Sequence, residues 1–227
     1  MSTAWAGAAM PKRYDLLVFD WDGTLMDSSV SIVRAIQFAF AELGRPAPTD
    51  EQARHVIGLG LVDAMRFLDA GLDSAQIAQV VEGYRNHYLS CDHEIKLFSG
   101  VSEALSRYRD QGFWLAVATG KSRKGLDRAL QYAGLADMFD ITRTADETFS
   151  KPHPAMLEQI IDFAGCEPRR TLMIGDTSHD LLLAQNAGTD GFGVAYGAHP
   201  RHELERCPSV GIVETFVELD AWLLANA

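Results

Sequence analysis

Residues 16–25 read LLVFDWDGTL, a short apolar run that is followed at once by two aspartates. The run from Leu16 to Phe19 is typical of a strand that is buried on both faces of a parallel sheet. Ligands of such sheets bind beyond the carboxyl ends of the strands. Asp20 and Asp22 therefore stand where a parallel α/β sheet places its functional groups.

Similar apolar runs recur along the chain, at Phe113 to Ala118, Phe139 to Thr142, Thr171 to Ile174, and Gly191 to Ala195. Helical patterns with start and stop signals lie between them. These patterns start at Ser122, Pro154 and Ser178, and they stop at Gly134, Gly165 and Gly188. The alternation predicts an α/β fold, a Rossmann-like parallel sheet with helices on both faces.

Residues 27–94 break this alternation because they show only helical patterns. Thr49 with Gln52 and Asp73 with Gln76 have the spacing of capping boxes. Apolar side chains recur at helical spacing in two stretches, Ile32, Val33, Ile36, Phe40 and Leu43, then Ile77, Val80, Val81, Tyr84 and Tyr88. We predict an all-α cap, residues 27–94, inserted into an α/β catalytic core of residues 1–26 and 95–227, with residues 1–12 as a disordered tail.

The composition limits the possible partners. The chain has 227 residues and a formal net charge of -11, whereas nucleic acids and anionic membranes require a basic surface. We therefore expect no nucleic-acid or membrane partner, although a phosphorylated small molecule needs only a local positive site. The three widely spaced cysteines, Cys91, Cys166 and Cys207, indicate reduced thiols. We find no signal-peptide pattern and no apolar stretch of bilayer length, so we expect a cytoplasmic protein.

Further polar residues follow the other predicted strands. Asp176 follows the run that ends at Ile174, so Asp20, Asp22 and Asp176 should crowd one end of the sheet, with Asp180 one helical turn further on. Like charges at such distances raise one another's pKa and oppose folding. A bound hard cation relieves this repulsion, and an open all-oxygen site suits Mg²⁺. Any one of these aspartates alone would be better interpreted as a cap.

Two other segments could bind an anion. Thr119 and Gly120 end a strand just before a helix, where a hydroxyl and backbone N–H groups can hold a phosphate. Lys151 lies between predicted elements and could supply a positive charge. A solvated surface lysine is an equally good interpretation of Lys151.

Taken together, these segments resemble the four motifs of the haloacid dehalogenase superfamily of hydrolases. Asp20 to Leu25 is similar to the first motif, Thr119-Gly120 to the second, Lys151-Pro152 to the third and Gly175 to Asp180 to the fourth. The resemblance covers Tyr14 to the C-terminus. The position of the cap is similar to that in phosphoglycolate phosphatases, pyrophosphatases and β-phosphoglucomutases. The stretches Ile57 to Leu61 and Gly193 to Gly197 look most like phosphoglycolate phosphatases.

This resemblance implies a role for each motif residue. Asp20 would be the nucleophile and Asp22 the general acid and base. Mg²⁺ would be held by Asp20, the backbone carbonyl of Asp22 and Asp176, with Asp180 supporting the metal site. The remaining residues, which would hold the phosphoryl oxygens, are Thr119, Lys151 and the backbone amides near Trp21, Asp22 and Gly120.

The same resemblance leaves two alternatives to a phosphatase acting on a small phosphorylated metabolite, such as a phosphoglycolate-like acid or a sugar phosphate. A phosphomutase has the same motifs, and a non-catalytic phosphoryl-binding protein can share the fold. Dehalogenases of the family generally lack the second aspartate, so Asp22 counts against that chemistry. Phosphonate hydrolysis in relatives needs a cap lysine, and no lysine lies between Asp27 and Leu89.

Substrate discrimination should come from the cap. We predict that Gly58, Leu59 and Gly60 form a loop facing the nucleophile, because two glycines this close do not suit a helix interior. Flanking residues that could meet a substrate carboxylate or second phosphate are Arg54, His55 and Arg66. His199 and Arg201 could border the site, although a surface turn is the better interpretation of both. His179 has no assigned catalytic role. The oligomeric state is not predicted.

Overall fold

The computed structural model describes residues 12–92 and 95–227. The predicted tail lies outside the described residues except for Lys12, and so does residue 94 at the predicted end of the cap. Six parallel strands form one sheet: β1 (Leu16–Phe19), β2 (Trp114–Thr119), β3 (Ile141–Thr144), β4 (Thr171–Gly175), β5 (Asp190–Val194) and β6 (Ile212–Val213). The predicted Rossmann-like parallel sheet is confirmed.

The strands lie in the order β3-β2-β1-β4-β5-β6, so β1 is central and the order reverses between β1 and β4. Phe19 of β1 pairs with Val117 on one side and with Ile174 on the other. The residues that follow these strands therefore meet at one edge of the sheet. This reversal is the place where open α/β sheets form their ligand crevice.

Side chains alternate across the sheet, and each face has its own core. Leu17 and Phe19 join a cluster with residues of α5 (Val101–Asp110), α6 (Arg123–Ala133) and α10 (Phe216–Asn226). Leu16 and Val18 face the other side, where α7 (Ala155–Ala164) and α8 (Ser178–Ala187) cover the sheet. Burial on both faces explains why β1 has no polar residue among its four positions.

Four helices connect β1 to β2 before α5: α1 (Ser29–Glu42), α2 (Asp50–His55), α3 (Leu61–Leu68) and α4 (Ser74–Cys91). We call this segment the helical insert. Both predicted capping boxes are present, at Thr49 before α2 and at Asp73 before α4. The two predicted apolar stripes pack together in a separate hydrophobic cluster. The insert therefore buries its apolar faces largely against itself.

The predicted boundaries need small corrections. β2 begins at Trp114 rather than Phe113, β3 spans Ile141–Thr144 rather than 139–142, and β5 spans Asp190–Val194 rather than 191–195. Pairing with neighbouring strands sets these limits, and an apolar run only approximates them. The short edge strand β6 and the short helix α9 (Arg201–Leu204) are too brief for a periodic pattern. Helices α6, α7 and α8 end at Gly134, Gly165 and Gly188 as predicted.

None of the helices in the described part of the chain is both long and apolar enough to span a membrane.

Candidate active site

Three aspartates converge at the reversal point of the sheet. Asp20 follows β1, Asp176 follows β4, and Asp180 lies in the first turn of α8. One carboxylate oxygen from each lies within 4.8 Å of the others. All three side chains are buried. The predicted convergence is therefore present for Asp20, Asp176 and Asp180. The prediction that the Asp22 side chain belongs to the same group is wrong, because its carboxylate binds Ser28 and Lys121 instead.

Lys151 bridges two of these carboxylates. Its Nζ donates to Oδ1 of Asp20 at 2.7 Å and to Oδ1 of Asp180 at 2.6 Å. Burial lowers the pKa of Lys151, but the charges of Asp180 and Asp20 outweigh burial and raise the pKa above its usual value. Lys151 is thus a buried, fixed positive charge and not the solvated surface lysine considered above.

The Asp176 carboxylate is held by neutral donors. Thr24 Oγ1 donates to it at 2.9 Å and the Ala198 N–H donates at 2.6 Å. Gly23 lies directly against this carboxylate at a φ of +78°, and a Cβ there would lie 2.1 Å from Asp176 Oδ2. The glycine of the DWDG segment is therefore required both by its backbone conformation and by the closeness of Asp176.

The acidic group is suited to a hard cation. Asp20 Oδ2 is buried and has no hydrogen-bond partner among the described residues. Burial raises the pKa of Asp20, against the opposing charge of Lys151, and the neighbouring Asp180 and Asp22 raise it further. Burial also raises the pKa of Asp176, and Asp20 and Asp180 add to the rise. A divalent cation with oxygen ligands would favour the ionised form of these carboxylates.

Asp180 contacts Lys151 and its own helix. Its Oδ2 accepts hydrogen bonds from the Thr177 N–H at 3.1 Å and from Thr177 Oγ1 at 2.7 Å. Since Oδ1 accepts from Lys151, both oxygens of Asp180 have partners. In this arrangement, Asp180 orients the lysine that contacts Asp20.

Asp22 points away from this group, toward the helical insert. Its carboxylate accepts a hydrogen bond from Ser28 Oγ at 2.6 Å and forms an ion pair with Lys121 Nζ at 3.0 Å. Lys121 Nζ also donates to the hydroxyl of Tyr88 on α4 at 3.2 Å. Asp22 is therefore connected to the insert through one lysine.

Ser28 and Lys121 are two site residues that the sequence did not predict. Lys121 directly follows the Thr119-Gly120 pair, so its position in the motif was the available signal. Ser28 carries no such signal, because only the turn after β1 brings it to Asp22. Lys121 and Lys151 together reduce the repulsion among the aspartates that the sequence alone suggested.

The predicted phosphate-binding residues adjoin the carboxylates. Thr119 is the buried last residue of β2, and its Oγ1 accepts the Lys121 N–H at 3.2 Å. Trp21 is buried and packs edge-on against Phe139, and its indole N–H has no partner among the described residues. The Trp21 side chain is thus part of the core, and a contribution to phosphate binding would come from its backbone.

Gly120 lies beneath the turn between α2 and α3, residues 56–60, which we call the glycine turn. A Cβ at Gly120 would lie 2.3 Å from the Leu59 carbonyl oxygen and 2.5 Å from that of Gly58. The Gly60 N–H donates to Ser150 Oγ at 2.7 Å, next to Lys151. The insert and the core thus meet directly over the site.

A cavity of about 1000 Å³ lies between the insert and the core. Among the residues that line it are Trp21, Asp22 and Lys121 from the core, and Gly58, Leu59 and Gly60 from the insert. The predicted loop of the insert therefore borders the same space as the candidate acid and base.

Comparison with known proteins identifies the family. The family model for haloacid dehalogenase-like hydrolases matches residues 17–194, most of the chain. The chain belongs to this family. It is 35% identical over 210 residues to a Dickeya dadantii protein named "Probable phosphatase IndB", with 90% of this chain and 91% of that protein covered. It is 34% identical over 192 residues to the phosphoglycolate phosphatase of Aliivibrio fischeri, with coverages of 80% and 84%.

A hydrolase from Pseudomonas syringae has a similar solved structure. The TM-score is 0.87 at 23% identity, and the match covers 94% of this chain and 99% of that one. This likeness concerns the fold. The prediction that the protein is a hydrolase of the haloacid dehalogenase family is confirmed, and the sequence relatives above carry the names of phosphatases.

Other predicted residues of this haloacid dehalogenase-like hydrolase lie outside the cavity lining. Arg54 is half-buried, and His55 faces the core residue His199 in a parallel stack with ring centroids 5.3 Å apart. Arg66 is exposed on α3, 4.0 Å from Asp63. Arg201 forms surface ion pairs with Glu205 and Glu214. Among the predicted cap residues, the glycine turn thus lies nearest the candidate chemistry.

Proposed function

We propose that this hydrolase is a magnesium-dependent phosphatase that cleaves the phosphate monoester of a small metabolite through an aspartyl-phosphate on Asp20. The observation that carries the proposal is Asp20 Oδ2. It is a buried carboxylate oxygen without a partner among the described residues, beside Lys151 and at the end of the central strand. An oxygen in this state can act as a nucleophile.

In the first step, the Asp20 carboxylate attacks phosphorus and the ester P–O bond breaks. Asp22 gives a proton to the leaving oxygen, which departs as an alcohol. Lys151 and Thr119 stabilise the negative charge on the phosphoryl oxygens. Phosphoryl transfer depends mainly on such positioning and charge stabilisation.

In the second step, Asp22 accepts a proton from a water molecule, which attacks phosphorus and releases phosphate and free Asp20. Ser28 and Lys121 orient the Asp22 carboxylate for both transfers. Mg²⁺, when held by Asp20, Asp176 and the backbone carbonyl of Asp22, would supply positive charge to the phosphoryl group.

The division of labour between two units is also part of the proposal. Residues 1–26 and 95–227 would supply the chemistry, and the cap, residues 27–94, would select the substrate. Gly58, Leu59 and Gly60 line the cavity, and Arg54 and His55 precede them. A phosphoglycolate-like acid or a sugar phosphate is the proposed substrate class, and the phosphoglycolate phosphatase relative supports it.

Metal dependence tests the proposal. The measurement is phosphate release from p-nitrophenyl phosphate after treatment with a chelator, and then after addition of Mg²⁺ or Ca²⁺. We expect loss of activity, recovery with Mg²⁺ and poor recovery with Ca²⁺, whose looser coordination misplaces the nucleophile. A circular dichroism spectrum in chelator controls for unfolding. Full activity in excess chelator would contradict the magnesium assignment.

A further inference from the structure

Two core histidines point at one carbonyl group of the helical insert. Nε2 of His179 lies 2.8 Å from the backbone oxygen of His55, and Nε2 of His199 lies 3.1 Å from the same oxygen. His179 lies on α8, two residues after Thr177, and His199 follows β5. His55 is the last residue of α2, where carbonyls lack partners within the helix.

The hydrogen bonds define the tautomer of His199. Two groups face its Nδ1: the Ser178 backbone N–H, which donates to it at 3.1 Å, and Glu203 Oε2 at 3.3 Å. The backbone donor requires a lone pair on Nδ1. In the neutral ring the proton is then on Nε2, which donates to the His55 carbonyl. For His179, only a protonated Nε2 can pair with the same oxygen. The His55 carbonyl thus accepts two imidazole N–H groups.

A metal ion explains this cluster less well. His55, His199 and Glu203 have ligand atoms within 4.8 Å of one another. The rings of His55 and His199, however, are stacked with an interplanar angle of 5°. A metal must lie near the plane of each ligating imidazole, which two stacked parallel rings do not allow. Nδ1 of His199 is also engaged by Ser178.

The His55 carbonyl lies directly before the glycine turn, so its contact with the two histidines affects where the turn lies. The glycine turn begins at the next residue, Val56, and it is attached to the core at both ends. The His55 carbonyl binds the two histidines at one end, and the Gly60 N–H binds Ser150 at the other. Between these points the Gly58 and Leu59 carbonyls pack on Gly120. The two ends therefore set the height of the turn above the site.

We propose that His179 and His199 are positioning residues that hold the glycine turn against Gly120, at the candidate site, by donating jointly to the His55 carbonyl. Neither side chain acts on the substrate itself. Their part in turnover rests on the proposed function, whereas their effect on the turn does not.

Amide hydrogen exchange tests the effect on the turn without any activity measurement. His179→Leu and His199→Leu fill similar space but lack the donor, whereas His179→Gln places an N–H near the former Nε2. We expect the Leu variants to speed exchange of the amides of residues 56–60 about tenfold, with His179→Gln close to wild type. His202→Leu, on the exposed face of α9, is the matched control. Exchange in β1 reports whether each variant is folded.

Steady-state kinetics with the best substrate from a phosphate-release screen test the effect on turnover. A turn that is held in place less often should raise KM about tenfold while kcat stays near wild type, because only the binding-competent fraction falls. His179→Gln should restore KM. The proposal would be overturned if the amides of residues 56–60 exchanged at the wild-type rate in the Leu variants. It would also be overturned if His179→Gln showed the same exchange rates and KM as His179→Leu.

The unsubstituted protein supplies a measurement that does not depend on the variants folding. Long-range ¹H–¹⁵N correlation spectra distinguish the two imidazole tautomers, and we expect protonated Nε2 for both His179 and His199. An Nε2 without a proton on either histidine would overturn the proposal. If the protein lacks phosphatase activity with every cation but the exchange and tautomer results hold, the proposed function fails and the positioning role stands.

Discussion

The core holds the buried carboxylates of Asp20, Asp176 and Asp180 and the glycine turn of the insert by different means. Asp20 and Asp180 are fully buried and share the charge of Lys151. The glycine turn contacts the core through neutral backbone groups, such as the Gly60 N–H and the His55 carbonyl. Buried ion pairs are costly to separate, whereas single neutral hydrogen bonds contribute about 0.5–1.5 kcal/mol each.

Because of this difference, the glycine turn can separate from the core while the carboxylates of the site keep their contacts. The turn can leave the core by breaking a few weak contacts, while the carboxylates keep their partners within the core. Asp22 is the exception, since its partner Lys121 also donates to Tyr88 of the insert. Substitutions of the carboxylates and of the turn should therefore have separable effects.

Replacement of the nucleophile should have the largest effect. Asp20→Asn removes the attacking oxygen and a proposed metal ligand, so turnover should fall by about 10,000-fold or more for every substrate. Rapid-quench experiments should detect no aspartyl-phosphate, which is recognised by being stable in acid and labile in base. Residual turnover through a phosphoenzyme would show that another residue is the nucleophile.

Asp22→Asn should be less severe and should depend on the substrate. The variant loses the proton carrier and its ion pair with Lys121 but keeps the nucleophile, and general acid–base help is typically worth about 100- to 10,000-fold. An alkyl phosphate needs protonation of its leaving group, whereas p-nitrophenolate leaves unprotonated. Rapid-quench kinetics should therefore reveal a burst of p-nitrophenol with accumulating aspartyl-phosphate. Equal losses on aryl and alkyl substrates, without a burst, would disprove the acid–base role or indicate a disturbed metal site.

Lys121→Met should have an intermediate effect because it removes the cation that contacts both Asp22 and the insert. A charge-assisted hydrogen bond contributes about 1.5–3 kcal/mol, so we expect kcat/KM to fall about 10- to 100-fold. The matched control is Lys12→Met, which removes an equal charge beside the Phe113 ring, away from the site. Similar kinetics for both variants would mean that Lys121 only contributes general charge.

Substitution in the glycine turn should have the smallest effect. Gly58 and Gly44 both have positive φ values, +93° and +73°, so alanine strains the backbone at either position. At Gly58 the new Cβ also meets Thr177 Oγ1 at 3.2 Å, whereas nothing lies within 4 Å at Gly44. Gly58→Ala should lower kcat/KM about tenfold on the best substrate from a phosphate-release screen and less on p-nitrophenyl phosphate.

Gly44→Ala serves as the control, because it should cost about 1–2 kcal/mol of stability without changing kcat/KM. Thermal unfolding measures the stability of both variants. Equal kinetic losses on both substrates for Gly58→Ala would assign the turn a structural role and place specificity elsewhere in the insert.

Several features of the site were predictable because they depend on short segments. Asp20 and Asp176 directly follow buried strands, so parallel pairing alone brings them together. The loop at Gly58 to Gly60 was predictable because glycines interrupt a helical pattern. Lys151 was ambiguous, since its sequence neighbours do not reveal the two carboxylates that surround it.

The sequence by itself determined the five longer strands, the alternation of strands with helices, the all-helical character of the insert and the carboxylates at the strand ends. These follow from local periodicity, caps and the residues at strand ends. Only the tertiary structure decided that Lys121 and Ser28 hold Asp22, and that His179 and His199 meet the carbonyl of His55. The two histidines lie more than a hundred residues from His55 in the sequence. Their contacts with its carbonyl therefore depend on how the insert packs on the core.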